Sequence, residues 1–330
     1  MRVTSLSPLQ HRPNSAGDLQ RVEASLRDAA TTQDDFLTEV ASHLIPAGGK
    51  RLRPAMVIAA SLSHNTDGAG DNAVTEEMIR GGVAVELVHL GSLYHDDVMD
   101  EAETRRGIEA VNNRWGNLVA ILAGDFLLAK ASELAASLGT EVAELLAATI
   151  GHLCEGQVRE LQLIYDVDRD ESGYLEAIGG KTAALFATSC RIGALVAGCD
   201  RTSIEQLTQY GYAYGMAFQI VDDILDLVAT DEELGKPSGN DLREGVYTLP
   251  VIRMIKANDP VKELLGAPLS TEERDFARSL VVNGKEIATS IETAREYAEE
   301  ALEAISGFPT TIGTLGLRSA AANLLSALDR

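Results

Sequence analysis

Two short acidic clusters carry the chemistry open to this chain. Asp96-Asp97-Val98-Met99-Asp100 and Asp222-Asp223-Ile224-Leu225-Asp226 share the spacing DDxxD, and each closes an apolar, helix-forming stretch (VAVELVHLGSLYH and YGYAYGMAFQIV). On a helix, residues four apart share a face, so Asp96 stands over Asp100 and Asp222 over Asp226. Like charges so placed repel by about 0.2–0.5 kcal/mol per pair on an exposed helix, and by more where solvent is excluded. A cation between them removes that penalty. Magnesium suits the donors, since it takes one or two carboxylates, several waters and phosphate oxygens. One such cluster in a chain with 50 acidic residues reads equally well as a solvated helix face. Two, each set in an apolar helix and followed by basic residues, point to metal.

Three basic elements complement the acids. In Gly48-Gly49-Lys50-Arg51-Leu52-Arg53-Pro54 the glycines let backbone approach a ligand, while Lys50 and Arg53 offer a point charge and a planar fork for phosphate. Arg105-Arg106-Gly107 follows the first cluster by five residues and can reach two phosphate groups. Lys181-Thr182 stands at a Gly-Gly break, and Lys236 sits in a Gly- and Pro-rich loop. GGKT without an upstream glycine and a strand–loop–helix setting is not a Walker loop. The formal net charge of −22 argues against nucleic acid or an anionic membrane surface as partner. Three cysteines without paired spacing fit a reducing cytoplasm, and no run of 18 apolar residues argues for stable membrane insertion.

Helices must position these groups. Apolar residues recur at helical spacing nearly everywhere and alternating β-branched runs are almost absent. The pattern predicts helices over 17–44, 55–63, 75–100, 117–138, 141–165, 171–188, 190–198 and 203–229, then 250–257, 271–282, 285–305 and 317–328. Loops are expected at 231–248 and 306–316, where Gly, Pro, Ser and Thr gather. No low-complexity linker divides the chain. The expectation is one all-α domain over residues 1–330, with 1–16 flexible: a large bundle with long central helices.

Taken in order, GGKRLRP, LYHDDVMDEAETRRG, GGKTAALF, FQIVDDILDL and GKPSGNDL resemble the trans-isoprenyl diphosphate synthases, the polyprenyl synthetases, over roughly residues 45–250. The resemblance implies an isoprenoid-synthase-type helical bundle around a central cavity, with one acidic cluster on each wall. It implies three magnesium ions held mainly by Asp96, Asp100 and Asp222, with Asp97, Asp223 and Asp226 nearby. Arg105, Lys181, Thr182, Gln219 and Lys236 match positions that bind the allylic diphosphate. Lys50, Arg53, His89 and Arg106 match those that hold isopentenyl diphosphate. Asp96, Asp97, Asp100, Lys181 and Asp222 are the expected catalytic set. Metal and cations would stabilise the departing diphosphate, and the double bond of isopentenyl diphosphate would attack the resulting allylic cation. A homodimer is also implied.

One departure concerns Val246, where the family commonly has lysine; Lys236 and Arg243 are candidates to compensate. Chain length is read from the residues four and five positions before Asp96, Ser92 and Gly91. In short-chain members a bulky aromatic there closes the cavity. Five helical residues span about 7.5 Å, so small side chains leave the floor open and a long product (C30–C50, as in quinone side chains) is expected. The alternatives are a short-chain synthase (C15–C20), with Tyr94 or another helix closing the tunnel, or a subunit of a heteromeric synthase. A terpene cyclase is disfavoured by the second DDxxD.

Overall fold

The computed structural model describes residues 7–64, 73–230, 238–257 and 261–328. Helical periodicity becomes helix almost throughout. α1 (Ser15–Ala30) and α2 (Asp35–Ser42) divide the segment expected as one helix. The break is local: the Thr32 hydroxyl accepts from the Asp34 N–H, and Asp34 caps α2 by accepting from the Leu37 N–H, both at 2.9 Å. Ahead of α1, Leu9 is buried and His11 Nε2 lies 2.6 Å from Ser319 Oγ.

α3 (Leu52–Ser61) leads to the long α4 (Glu76–Met99), followed by the antiparallel pair β1 (Thr104–Arg105) and β2 (Ile108–Glu109). α5 (Val111–Trp115), α6 (Asn117–Ser137), α7 (Thr140–Gln162), α8 (Glu171–Ile178), α9 (Ala184–Val196) and α10 (Arg201–Val228) complete the body around the clusters. Then come α11 (Asn240–Glu244), α12 (Leu249–Lys256), α13 (Val261–Leu264), α14 (Thr271–Asn283), α15 (Glu286–Ala304) and α16 (Ile312–Leu324). α4 is apolar on nearly every side, as a central helix must be, and packs against α1, α3, α6 and α9. α10 packs between α9 and α15.

Two expected boundaries shift. The break expected at residue 189 is absent, and helix runs through it in α9. The real interruption is a π-turn at Gly179–Ala183. Its cause is tertiary: a β-carbon on Gly156 of α7 would meet Lys181 N at 2.6 Å and Gly180 C at 3.0 Å, so α7 presses directly on the turn. The loop expected over 306–316 ends early because Gly313 lies within α16, where a β-carbon would meet Leu62 C and Ser63 N at 2.6 Å. That glycine serves close packing against the end of α3. No helix of the described residues is long and apolar enough to cross a membrane.

Candidate active site

The first cluster ends α4, where α4's central packing leaves Asp96 half-buried, Asp97 fully buried and Asp100 exposed. Burial pushes the Asp96 carboxyl up to about 6, with Lys181 opposing and Asp100 adding repulsion. Burial also raises Asp97, and the protein crowded around Asp100 raises it in the same direction although the residue keeps a solvent-exposed surface. Arg105 reaches back from β1 and donates to Asp97 Oδ1 through Nε (2.7 Å) and Nη2 (2.6 Å). Asp97 Oδ2 is buried with no hydrogen-bond partner.

The second cluster ends α10. Asp222 is exposed, while Asp223 and Asp226 are buried. Asp223 accepts from the Tyr174 hydroxyl (2.6 Å) and from Gln219 Nε2 (2.7 Å). Burial lifts its carboxyl to about 7, those hydrogen bonds opposing and Asp222 adding. Asp226 turns toward α11: its Oδ2 accepts from the Asp241 N–H at 3.4 Å, and its carbonyl accepts from the Gly239 N–H at 2.8 Å. Of the six aspartates expected at metal, Asp97, Asp223 and Asp226 also accept hydrogen bonds from protein donors.

Between the clusters stands Lys181, set by the π-turn. Its Nζ donates to Glu160 Oε1 of α7 at 2.6 Å. Burial works against the Lys181 charge, but Glu160 and Asp96 outweigh it and raise its pKa. Glu160 disfavours ionisation of Asp96, Asp100 and Asp223 alike, which puts both clusters within electrostatic reach of one side chain. Thr182 joins the second wall, its hydroxyl donating to Gln219 Oε1 at 2.8 Å.

A second cationic group lies one to two turns back along α4. Arg106 occupies a left-handed position (φ 52°) and Gly107 another (φ 77°), the pair forming the two-residue turn between β1 and β2. The turn sends Arg106 Nη1 to the Gly48 carbonyl and Nη2 to 3.5 Å from His89 Nε2. Burial, then Arg53 and Arg106, hold the His89 imidazole well below its ordinary value, so it is neutral. Arg53 lies 4.7 Å over the Phe186 ring, and its buried Nε has no hydrogen-bond partner. Burial lowers Arg53 to about 10, with Arg106 adding. Lys50 is exposed, 6.0 Å from the Phe218 ring. Arg53, His89 and Arg106 thus cluster, with Arg53 over Phe186 and Lys50 near the adjoining Phe218 ring.

The two chain-length positions part company. Ser92 shares a face with His89 and Asp96, three residues on and four back. Gly91 is turned to α6, where a β-carbon would meet the Gly124 carbonyl at 3.1 Å and Leu128 Cδ2 at 3.2 Å. Tyr94 is buried away from the site, its hydroxyl donating to the Val40 carbonyl at 2.7 Å. Lys236 lies outside the described residues. Arg243 is exposed and donates to Asn240 Oδ1 at 2.7 Å, a contact within α11.

Sequence reasoning passed over Glu160, Tyr174, Phe186 and Phe218. Phe218 was within reach, adjoining Gln219 in the FQIVDD stretch. The others depend on which helices touch.

The donor set fits divalent metal. Among the described residues no three acidic or imidazole side chains are already gathered as a ligand set. Asp96 and Asp100 are nonetheless hard oxygen donors whose charge burial disfavours, and Asp100 adds to that penalty at Asp96. Asp97 Oδ2 is buried without a hydrogen-bond partner among the described residues. Comparison with known proteins agrees. A polyprenyl synthetase family model matches residues 34–280. Heptaprenyl diphosphate synthase component 2 of Geobacillus stearothermophilus is 38% identical over 296 residues, covering 88% of this chain and 90% of that protein. Nonaprenyl diphosphate synthase of Mycobacterium tuberculosis is 38% identical over 304 residues, covering 90% and 88%. The crystal structure of a polyprenyl synthase from Caulobacter crescentus, complexed with calcium and isoprenyl diphosphate, superposes with a TM-score of 0.89 at 34% identity, covering 98% of each chain. With sequence, fold and paired acidic clusters in accord, this chain belongs to the polyprenyl synthetase family.

Proposed function

We propose that the chain is a trans-prenyltransferase that condenses isopentenyl diphosphate with an allylic diphosphate to give a long-chain product. The observation that carries this reading is the Glu160–Lys181 pair, whose carboxylate is felt by Asp96, Asp100 and Asp223. Lys181 is the cation of that pair, and Asp96 and Asp100 favour its charge, so it is available to a diphosphate held at the first cluster. The hepta- and nonaprenyl names of the relatives favour a long product.

Asp96, Asp100 and Asp222 are the residues suited to hold magnesium, three ions per site, with Asp97, Asp223 and Asp226 supporting them. Bound magnesium supplies charge neutralisation for the departing diphosphate. Lys181, Thr182, Gln219 and Arg105 orient the allylic diphosphate, and Lys236, outside the described residues, is assigned with them from the sequence. Lys50, Arg53, His89 and Arg106 orient isopentenyl diphosphate over Phe218 and Phe186. Neutral His89 can donate one N–H to phosphate without adding to the crowding of cations. The small Ser92, on the face of His89 and Asp96, leaves room for a growing chain, and exclusion of water there would protect the allylic cation.

The chain acts as one domain and in a reducing cytoplasm, in keeping with three cysteines that form no disulfide. We assign a homodimer, because α6 exposes Leu118, Ile121 and Leu122 in one apolar stripe. A subunit of a heteromeric synthase is the second reading, favoured by the name of the component 2 relative.

Product analysis tests the assignment. The purified chain, given magnesium, isopentenyl diphosphate and a farnesyl or geranylgeranyl primer, should yield a ladder ending at or above C30. A ladder that stops at C20 keeps the reaction and removes the long-chain reading. No elongation by the chain alone supports the heteromeric one.

A further inference from the structure

The first arginine of GGKRLRP, Arg51, has no place in that function, yet it is tightly constrained. Arg51 sits at φ 46° and ψ 39°, a left-handed conformation that costs a residue with a β-carbon about 1–2 kcal/mol relative to glycine. The chain places arginine there, although Gly48 and Gly49 stand only three and two residues earlier. Its side chain is 4% exposed and every nitrogen is engaged: Nε with Glu23 Oε1 of α1 (2.5 Å), Nη1 with Glu86 Oε1 of α4 (2.7 Å), and Nη2 with the Ile45 carbonyl (3.1 Å).

No part of Arg51 is left to meet a substrate. Its neighbours are, however, two basic residues of the second cationic group. The left-handed turn at 51 leaves Lys50 outside, by Phe218, and opens α3 so that Arg53 falls in its first turn, over Phe186. Glu86, one turn before His89, also favours the charges of Arg53 and Arg106, and Glu23 that of Arg106. Two carboxylates therefore balance three clustered arginines, and Arg51 is the one that binds both of them.

We propose that Arg51 is a positioning residue for the isopentenyl diphosphate pocket: it locks α1, α4 and the glycine loop together so that Lys50, Arg53 and Arg106 face one phosphate site. This inference rests on the functional reading above. It predicts an effect confined to one of the two substrates, from residues that touch neither.

The test compares Arg51→Gly and Glu23→Gln with the full-length parent. Glycine suits the left-handed backbone but removes the anchor. Glu23→Gln leaves the backbone alone and removes one charge from a half-buried partner. Isopentenyl diphosphate binding is measured by calorimetry without primer, and KM for each substrate under turnover. Arg51→Gly should weaken isopentenyl diphosphate binding by at least about tenfold and Glu23→Gln by roughly threefold or more, with KM for the allylic diphosphate and kcat within about twofold. Unchanged affinity in Arg51→Gly would overturn the proposal, as would equal loss for both substrates. If Arg51→Gly does not fold, Glu23→Gln decides on the same criteria. Parent protein that binds isopentenyl diphosphate but elongates nothing would instead implicate the functional reading.

Discussion

Arg105 grips Asp97 through both Nε and Nη2, at 2.7 and 2.6 Å, and Asp223 in the opposite cluster is gripped by Tyr174 and Gln219. The second aspartate of each DDxxD is thus buried and bonded to protein, while the first of each is the more open. The clusters are built alike, and their aspartates are not equivalent.

Removing Arg105 should therefore hurt the fold as well as the reaction. Asp97 is wholly buried and Arg105 about a third exposed, so Arg105→Gln strands a buried carboxylate at a cost of roughly 2–3 kcal/mol. Arg106→Gln should lower activity with a smaller loss of stability. Chemical denaturation of the two variants, with Asp97→Asn/Arg105→Gln as the repaired pair, checks this. Equal midpoints for Arg105→Gln and the parent would disprove it.

Asp96→Asn separates metal binding from folding. Turnover should fall by about three orders of magnitude, equivalent to roughly 4 kcal/mol of lost transition-state stabilisation. The thermal midpoint in chelator should stay level or rise, because a carboxyl disfavoured by burial and by Asp100 has gone. Steady-state rates and calorimetry on the same preparation read both quantities. A clear drop in that midpoint contradicts the electrostatics argued here.

The same groups set a pH dependence. Asp96 (about 6) and Asp223 (about 7) lie above the ordinary carboxyl range, so the folded chain holds protons that the unfolded chain releases. Their contribution to stability is complete below about pH 4 and is lost as pH rises through 6 and 7. In chelator, stability should decline across that window, more gently in Asp96→Asn. Magnesium with inorganic diphosphate should stabilise more at pH 8 than at pH 5.5, where ligand carboxylates begin to be protonated. Melting curves at the two pH values, with and without ligand, test the sign.

Chain length should respond to position 92 alone. Ser92→Phe places an aromatic ring on the face of His89 and Asp96 and should shorten the product by several isoprene units. Gly91→Phe drives the ring into Gly124 and Leu128, and should lower the melting temperature without a defined shortening. Mass spectrometry of products and a melting curve for each variant suffice. A shorter ladder from Gly91→Phe in a fully stable protein would reverse the assignment.

Much of this was legible in the sequence, for definable reasons. α10 announces itself by apolar periodicity and α4 by a long apolar stretch without strand alternation, and the all-α class follows from such segments. The charged residues of the two groups were named because charge at fixed offsets survives translation into helix geometry. What escaped is tertiary in origin. Glu160 matters only because Gly156 and Gly180 bring α7 onto the turn carrying Lys181. The roles of Asp223 and Asp226 depend on Tyr174 and Asp241, 49 and 15 residues distant. The β1–β2 hairpin is too short to show alternation, and Gly313 looked like a loop residue because close packing and flexibility call for the same amino acid.

The hairpin that presents Arg106 also narrows what the position will accept. Glycine, asparagine and aspartate suit its backbone but bring no cation. Lysine brings charge without the fork and bears the same strain. Any replacement gives up the turn or the fork that reaches the Gly48 carbonyl and His89, so drift in this segment has room at Glu103, Thr104 and Glu109, whose side chains face solvent. The second arginine of RRG is fixed twice over, by its charge and by the handedness of its backbone.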